Sequence, residues 1–147
     1  MRITTKTRYG TRALLELALH QDEGPLSLAE IARRQELSEK YAESLMGRLR
    51  AAGVVHSVRG AQGGYLLARD AAAITVREVY EVMEGVAPPV ACLEDAGLCS
   101  RVDQCVTQEV WGQMQQAALE VLGGVTLADL AERYRRRLAA RPADFAI

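Results

Sequence analysis

Ser27-Leu-Ala-Glu30-Ile-Ala-Arg-Arg-Gln35-Glu-Leu37-Ser38-Glu-Lys40-Tyr41-Ala-Glu43-Ser44-Leu45 is the stretch that decides the fold. Ser27 followed three residues later by Glu30 has the form of a capping box, so a short helix is expected from there to about Gln35. Leu37 and Ser38 then supply a tight turn and a new N-cap. The next helix is expected to run to about Ala52, with Tyr41, Leu45 and Leu49 on its inner face and Gly53 as its stop.

Upstream, Ala13, Leu14, Leu17 and Ala18 recur at helical spacing between about Thr5 and His20, and Gly24-Pro25 end that helix. Downstream, Val54-Val-His-Ser57-Val58 and Tyr65-Leu-Leu-Ala68 are two short β-like runs around the tip Arg59-Gly60-Ala-Gln-Gly63-Gly64, the pattern of a hairpin. Three helices, the last two joined by a tight turn, followed by a hairpin, make a winged helix-turn-helix. A generic small α+β domain is the alternative, and the order of caps, turn and hairpin disfavours it.

The rest of the chain is helical apart from one loop. Thr75-Val-Arg-Glu78 opens a helix that Gly85 ends, and Pro88-Pro89 begin the loop. From about Asp103 a long helix carries the apolar stripe Val106, Val110, Met114, Ala117 or Ala118, and Val121, and Gly123-Gly124 end it. Thr126 opens a last helix with Leu127, Leu130, Tyr134 and Leu138. The fold class is therefore mostly α with a small β-hairpin. The expected units are a DNA-binding domain over residues 1–85, a cysteine loop over 86–105, and a dimerisation helix with a C-terminal helix over 103–141. The stripe of the long helix needs a surface to cover it, and a second copy of the chain supplies one in a homodimer that would also read a palindromic site.

Charge is divided between the halves. Residues 1–75 hold eleven Lys/Arg against eight Asp/Glu, a net of +3, and residues 76–147 hold seven against eleven, a net of −4, which together give the chain's −1. The basic half is where double-stranded DNA is expected. No run of eighteen apolar residues and no signal-peptide core is present, so no membrane partner and a cytoplasmic location are expected. No Ser/His/Asp arrangement and no phosphate-binding Gly motif opening a helix is found, and the two histidines, His20 and His56, lie far along the chain from the cysteines. A binding protein is expected, not an enzyme.

The expected DNA-reading residues follow from the helix-turn-helix. Ser38, Lys40, Tyr41, Glu43 and Ser44 lie at the start of the reading helix, with Arg48 and Arg50 further along. Ser38, Lys40 and Tyr41 suit phosphate, and Ser44 suits a base edge. Glu43 repels phosphate unless it accepts from a cytosine amino group, which makes it a selectivity element. Its alternative is a solvated acid, four residues from Glu39. Arg59 at the hairpin tip, beside Ser57, Gly60, Gly63 and Gly64, suits the minor groove. Arg2, Lys6, Arg8 and Arg12 add charge near the N-terminus.

Cys92, Cys99 and Cys105 are the only cysteines and fall within fourteen residues. An odd number of thiols in a reducing compartment disfavours a disulfide. Intervals of six and five residues are unlike the short knuckle of a structural zinc site. An iron–sulfur cluster tolerates such intervals, whereas a thiol redox switch needs only one or two of the cysteines. Spacing favours the cluster and leaves the thiol switch and zinc open.

Several segments together resemble the IscR-type iron–sulfur cluster regulators. They are the opening Met1-Arg-Ile-Thr-Thr-Lys-Thr-Arg-Tyr9, Leu28-Ala-Glu-Ile31, Tyr41-Ala-Glu-Ser-Leu45 with Arg48-Leu-Arg50, Ser57-Val-Arg-Gly60 through Tyr65-Leu-Leu67, Cys105 through Trp111, and Thr126 through Leu130. The resemblance covers roughly residues 1–130. It implies a homodimeric winged-helix transcription factor whose cluster, 2Fe-2S in preference to 4Fe-4S, is held by Cys92, Cys99 and Cys105. Cluster donor proteins are then candidate partners. It also implies repression of cluster-assembly genes when the cluster is bound, with nitric oxide, iron or redox sensing as alternative inputs. Two departures leave the fourth ligand unassigned. Gln108 stands where 2Fe-2S members place a His, and Arg8 stands where a nitric-oxide-sensing relative places an acid. Glu94, Asp95, Asp103 and Glu109 are the nearby carboxylates.

Overall fold

The computed structural model describes residues 1–140. Helix α1 spans Thr5–Leu19, α2 Leu28–Gln35, α3 Glu39–Ala51, α4 Val76–Glu84, α5 Val106–Gly123 and α6 Leu127–Ala139. Strands β1, Val55–Val58, and β2, Gly64–Leu67, pair antiparallel with Val55 opposite Leu67 and Val58 opposite Gly64. The C-terminal helix was expected to about residue 141. It ends at Ala139, and residue 141 lies outside the described residues.

Caps set the helix starts. Ser27 accepts from the Glu30 N–H, Ser38 from the Tyr41 N–H and Thr75 from the Glu78 N–H. The capping boxes expected at Ser27 and Thr75 are only half formed. The Glu30 carboxylate turns to Arg33 and Arg34, and Glu78 pairs with Arg69. The complete box is at Thr126, whose N–H and hydroxyl both donate to Asp129 at 2.8 Å. Between α2 and α3, Glu36 takes the left-handed conformation at φ 55° and its N–H closes onto Ala32 and Arg33. This ends α2 and turns the chain within three residues.

The core is built from Leu14 and Leu17 of α1, Ile31 of α2, Leu45, Met46 and Leu49 of α3, Val54 and Val55, and Val79 and Met83 of α4. Leu127 and Ala131 of α6 are buried in the same cluster. The C-terminal helix therefore packs with the N-terminal half and does not form a unit with α5. Its start is stitched there by main-chain bonds from Val76 N–H to the Val125 carbonyl and from Leu127 N–H to the Ile74 carbonyl, both 2.9 Å. Helix α5 has no buried residue and lies against α4. Val106, Val110, Met114 and Val121 of its stripe stand exposed, so packing on its own chain leaves the stripe uncovered.

Both polar side chains buried among the described residues are satisfied. Gln35 accepts from Arg12 at 2.7 Å and donates to Glu16 at 2.8 Å, bracing α1 against α2. The Thr7 hydroxyl donates to Glu84 across the α1–α4 contact.

Candidate nucleic-acid interface and cysteine site

Helix α3 presents Lys40, Ser44 and Arg48 four residues apart on one exposed face, with Glu43 and Arg50 exposed beside them. Ser38 is exposed but its hydroxyl serves as the α3 cap. Tyr41 is only half exposed. Its ring meets Tyr9 edge-on at 6.2 Å and its hydroxyl donates to Thr5 at 3.4 Å, so it locks the start of α3 to the start of α1. The basic N-terminal residues divide in the same way. Arg2, Arg8 and Arg12 are exposed and Lys6 is half exposed, and Arg12 alone of them donates its Nε–H to Gln35.

At the hairpin tip, Ser57, Arg59 and Gly60 are exposed, and Gly60 adopts φ 118°. Gly63 and Gly64 answer an internal requirement. A Cβ at Gly63 would lie 2.3 Å from the Val58 carbonyl oxygen, and one at Gly64 would lie 2.3 Å from that of Leu26. These two glycines let the wing close on itself and dock beside α2.

The cysteine segment is more ordered than a glycine loop suggests. Three short 3₁₀ turns, Ala91–Leu93, Ala96–Leu98 and Val102–Gln104, carry it from Gly85 to α5. All three cysteines are free and half-buried. Cys92 lies in the first turn, Cys99 ends the second, and Cys105 is the N-cap residue of α5. The Thr107 hydroxyl 3.3 Å from its sulfur, and the N–H groups of Gln108 and Thr107, hold the Cys105 thiol below its ordinary pKa. Gln108 donates from its side-chain amide to the Cys92 carbonyl at 2.6 Å, fastening the first cysteine turn to the first turn of α5.

The donor chemistry of three free thiols, one of them acidified by a helix start, fits thiolate ligation. Among the described residues no three Cys, His, Asp or Glu side chains converge as a metal site. The turns between the cysteines are held by local main-chain bonds such as Cys99 N–H to Ala96 and Cys105 N–H to Val102.

A residue outside the sequence-derived site stands out where the cysteine segment begins. Glu84, the last residue of α4, accepts three hydrogen bonds on one carboxylate oxygen: from the Thr4 N–H at 3.0 Å and from the Thr4 and Thr7 hydroxyls at 2.5 Å each. Burial pushes its pKa up, but the threonine bonds and nearby Lys6 prevail and hold it at about 2. Met1, Arg2 and Tyr80 are the other neighbours that carry titratable or charged groups. Thr4 is the N-cap of α1, directly before the helix start that the sequence places at about Thr5. Its partner, eighty residues away, carries no local signal. With a depressed pKa, the contribution to stability is whole above the ordinary value of 4.5 and is lost as pH falls through about 2. Urea unfolding at pH 7 is expected to find Glu84→Gln on the order of 2 kcal/mol less stable than wild type, with the gap closing between pH 4.5 and 2. A gap unchanged at low pH would show that the charge plays no part.

The chain matches the Rrf2 family, described as an iron-dependent transcriptional regulator, over residues 3–133. It is 45% identical to protein rrf2 of Nitratidesulfovibrio vulgaris over 130 residues, 88% of this chain and 87% of that one. IscR of T. potens shares its fold with a TM-score of 0.79 and 40% identity, over 97% of this chain and 94% of the other. CymR, the global cysteine regulator of B. subtilis, does so with a TM-score of 0.77 and 43% identity, over 90% and 98%. No helix among the described residues is long and apolar enough to cross a membrane. A winged reading head, an exposed basic helix face and a family match across nearly all of the described residues make one conclusion: this chain belongs to the Rrf2 family of DNA-binding transcriptional regulators, which are not enzymes.

Proposed function

We propose that this regulator senses through Cys92, Cys99 and Cys105, which hold an iron–sulfur cluster of the 2Fe-2S type, and that the cluster-loaded homodimer represses cluster-assembly genes. The observation that carries the proposal is the set of three free thiols on one segment between the reading head and α5. The family's description as iron-dependent and the likeness to IscR support it. When bound, the cluster supplies an iron site whose occupancy follows iron supply and oxidants. The chain's own residues do the rest. Gln108 ties the Cys92 turn to α5, and the exposed stripe Val106, Val110, Met114 and Val121 is the face that a second copy covers. Lys40, Ser44, Arg48, Arg50 and Arg59 face the operator, phosphate and base edges being divided among them, while Glu43 penalises wrong sites.

A second reading is favoured by the acidified Cys105 and by the likeness to a cysteine regulator: a thiol switch with no cluster. Purification without oxygen, with visible absorption and iron and sulfide assays, separates the two. The expected result is a coloured protein whose colour is lost in Cys92→Ala. A colourless, iron-free protein that binds DNA only after oxidation would establish the thiol switch instead.

A further inference from the structure

The Glu84 carboxylate sits where three parts of the molecule meet. It belongs to the last residue of α4 and immediately precedes Gly85 and the cysteine segment. Through Thr4 and Thr7 it holds the first turn of α1, and Thr4 itself caps that helix by accepting from the Lys6 N–H at 3.2 Å. The residues this registers are the basic ones: Arg2 before the cap, Lys6 and Arg8 after it. Next along, Thr5 accepts from the Tyr41 hydroxyl, so the same turn of α1 touches the first turn of α3.

The first residues of the chain also lie against the start of the cysteine segment. Met1 and Arg2 line a depression with Tyr80, Glu84, Ala87 and Pro88. Met1 also lines a small cavity with Val86, Gln115 and Leu119, the last two on α5. A shift of residues 86–88 or of α5 therefore meets the N-terminal arm directly. Glu84 is the group that ties that arm to α4.

We propose that Glu84 is a positioning residue for DNA binding: it sets the N-terminal arm so that Arg2, Lys6 and Arg8 meet phosphates beside α3, and it transmits displacement of the cysteine segment to that arm. The first half rests only on the family's DNA binding, and the second rests on the proposed sensing role of the cysteines. One carboxylate oxygen gathering three donors leaves little freedom in where α1 begins. An arm released from it keeps its charges but loses their placement, so fewer phosphates are neutralised at once. The geometry makes the arm an output of the sensor in addition to any change in the spacing of the reading heads.

The test uses the full chain and a DNA duplex enriched from a random library by the wild-type protein. Affinity is measured by fluorescence anisotropy across a series of salt concentrations for wild type, Glu84→Gln and Thr7→Val. Each phosphate contact contributes about 0.9 to the slope of log affinity against log salt. Both variants are expected to lose roughly one to two units of slope and to bind about tenfold more weakly at low salt. Destabilisation alone would lower the folded fraction and leave the slope intact. Thr7→Val, which removes one donor and keeps the side-chain volume, covers the case in which Glu84→Gln folds poorly. Affinity is then compared with and without cluster loading, iron content being assayed in each sample. In Glu84→Gln the ratio of loaded to unloaded affinity is expected to fall to within about twofold, well below the wild-type ratio. An unchanged slope in both variants overturns the positioning role, and a wild-type ratio kept in Glu84→Gln overturns the transmission. A wild-type ratio of one, in protein shown to carry iron, defeats the sensing reading and the transmission with it, while the slope still decides the arm.

Discussion

Gly64→Ala is expected to cost about 3 kcal/mol of stability and to abolish tight DNA binding at temperatures the wild type tolerates. The methyl group would be built 2.3 Å from the Leu26 carbonyl oxygen, 2.5 Å from its carbon and 2.8 Å from the Ser27 nitrogen. All three are main-chain atoms, which cannot turn aside as a flexible side chain would. Leu26 and Tyr65 exchange main-chain hydrogen bonds of 3.1 and 2.8 Å at this point, and Ser27 caps α2. Relieving the clash therefore breaks the bridge, lifts the wing and disturbs the start of the helix-turn-helix together. Urea unfolding gives the stability and anisotropy gives the binding. Gly47→Ala, on α3 with open space around its Cβ, is the control and is expected to be neutral or to stabilise by up to about 1 kcal/mol. If the two variants unfold at the same urea concentration, the close approach at Leu26 is not what demands a glycine.

Leu127→Ala is expected to lose about 3 kcal/mol, within the range of cavities left by buried leucines. Leu127 has no exposed surface and lies in the cluster formed by α1, α3 and α4. The deletion removes apolar contacts from the same core that seats the reading helix, so the whole protein should unfold earlier in one step. Trp111, the single tryptophan, stands on α5 and reports that helix by fluorescence, while circular dichroism reports the rest. Coincident transitions shifted to lower urea are the expected result. A second transition confined to the C-terminal helix would instead mean that α6 folds as a unit of its own. A cluster bound as proposed would stabilise by mass action, so both variants are compared in iron-free protein.

Several features could be read from residues in order because their physics is local. A helix start is a bond between a side chain and an N–H three residues on, and Ser27, Ser38, Thr75 and Thr126 each mark one. The hairpin announced itself through Gly60, Gly63 and Gly64, although what Gly63 and Gly64 accommodate turned out to be the protein's own main chain. The exposed face of α3 that carries Lys40, Ser44 and Arg48 follows from helical spacing. The side chains whose partners are distant were read less well. Tyr41 is expected at phosphate and Arg12 as added charge, and spacing gives no sign that Tyr41 also reaches Thr5 or that Arg12 also donates to Gln35.

The cysteine site shows the same division. Three thiols within fourteen residues are the candidate donors, their spacing is unlike a zinc knuckle, and their odd number disfavours a disulfide. Gln108 could be noted only as a residue standing in an expected ligand's place. Its bond to the Cys92 carbonyl gives it a job that no spacing argument supplies.

By itself the sequence determined the winged helix-turn-helix, the candidate reading residues on the third helix and the three thiols of the candidate sensing segment, because capping, periodicity and side-chain chemistry act within a few residues. Only the tertiary structure decided that α6 joins the N-terminal core, that the stripe of α5 stays uncovered, and that Glu84 holds the first turn of α1. Those contacts join residues as much as eighty apart. They are set by which surfaces the packed helices bring together, and no short stretch of chain records that.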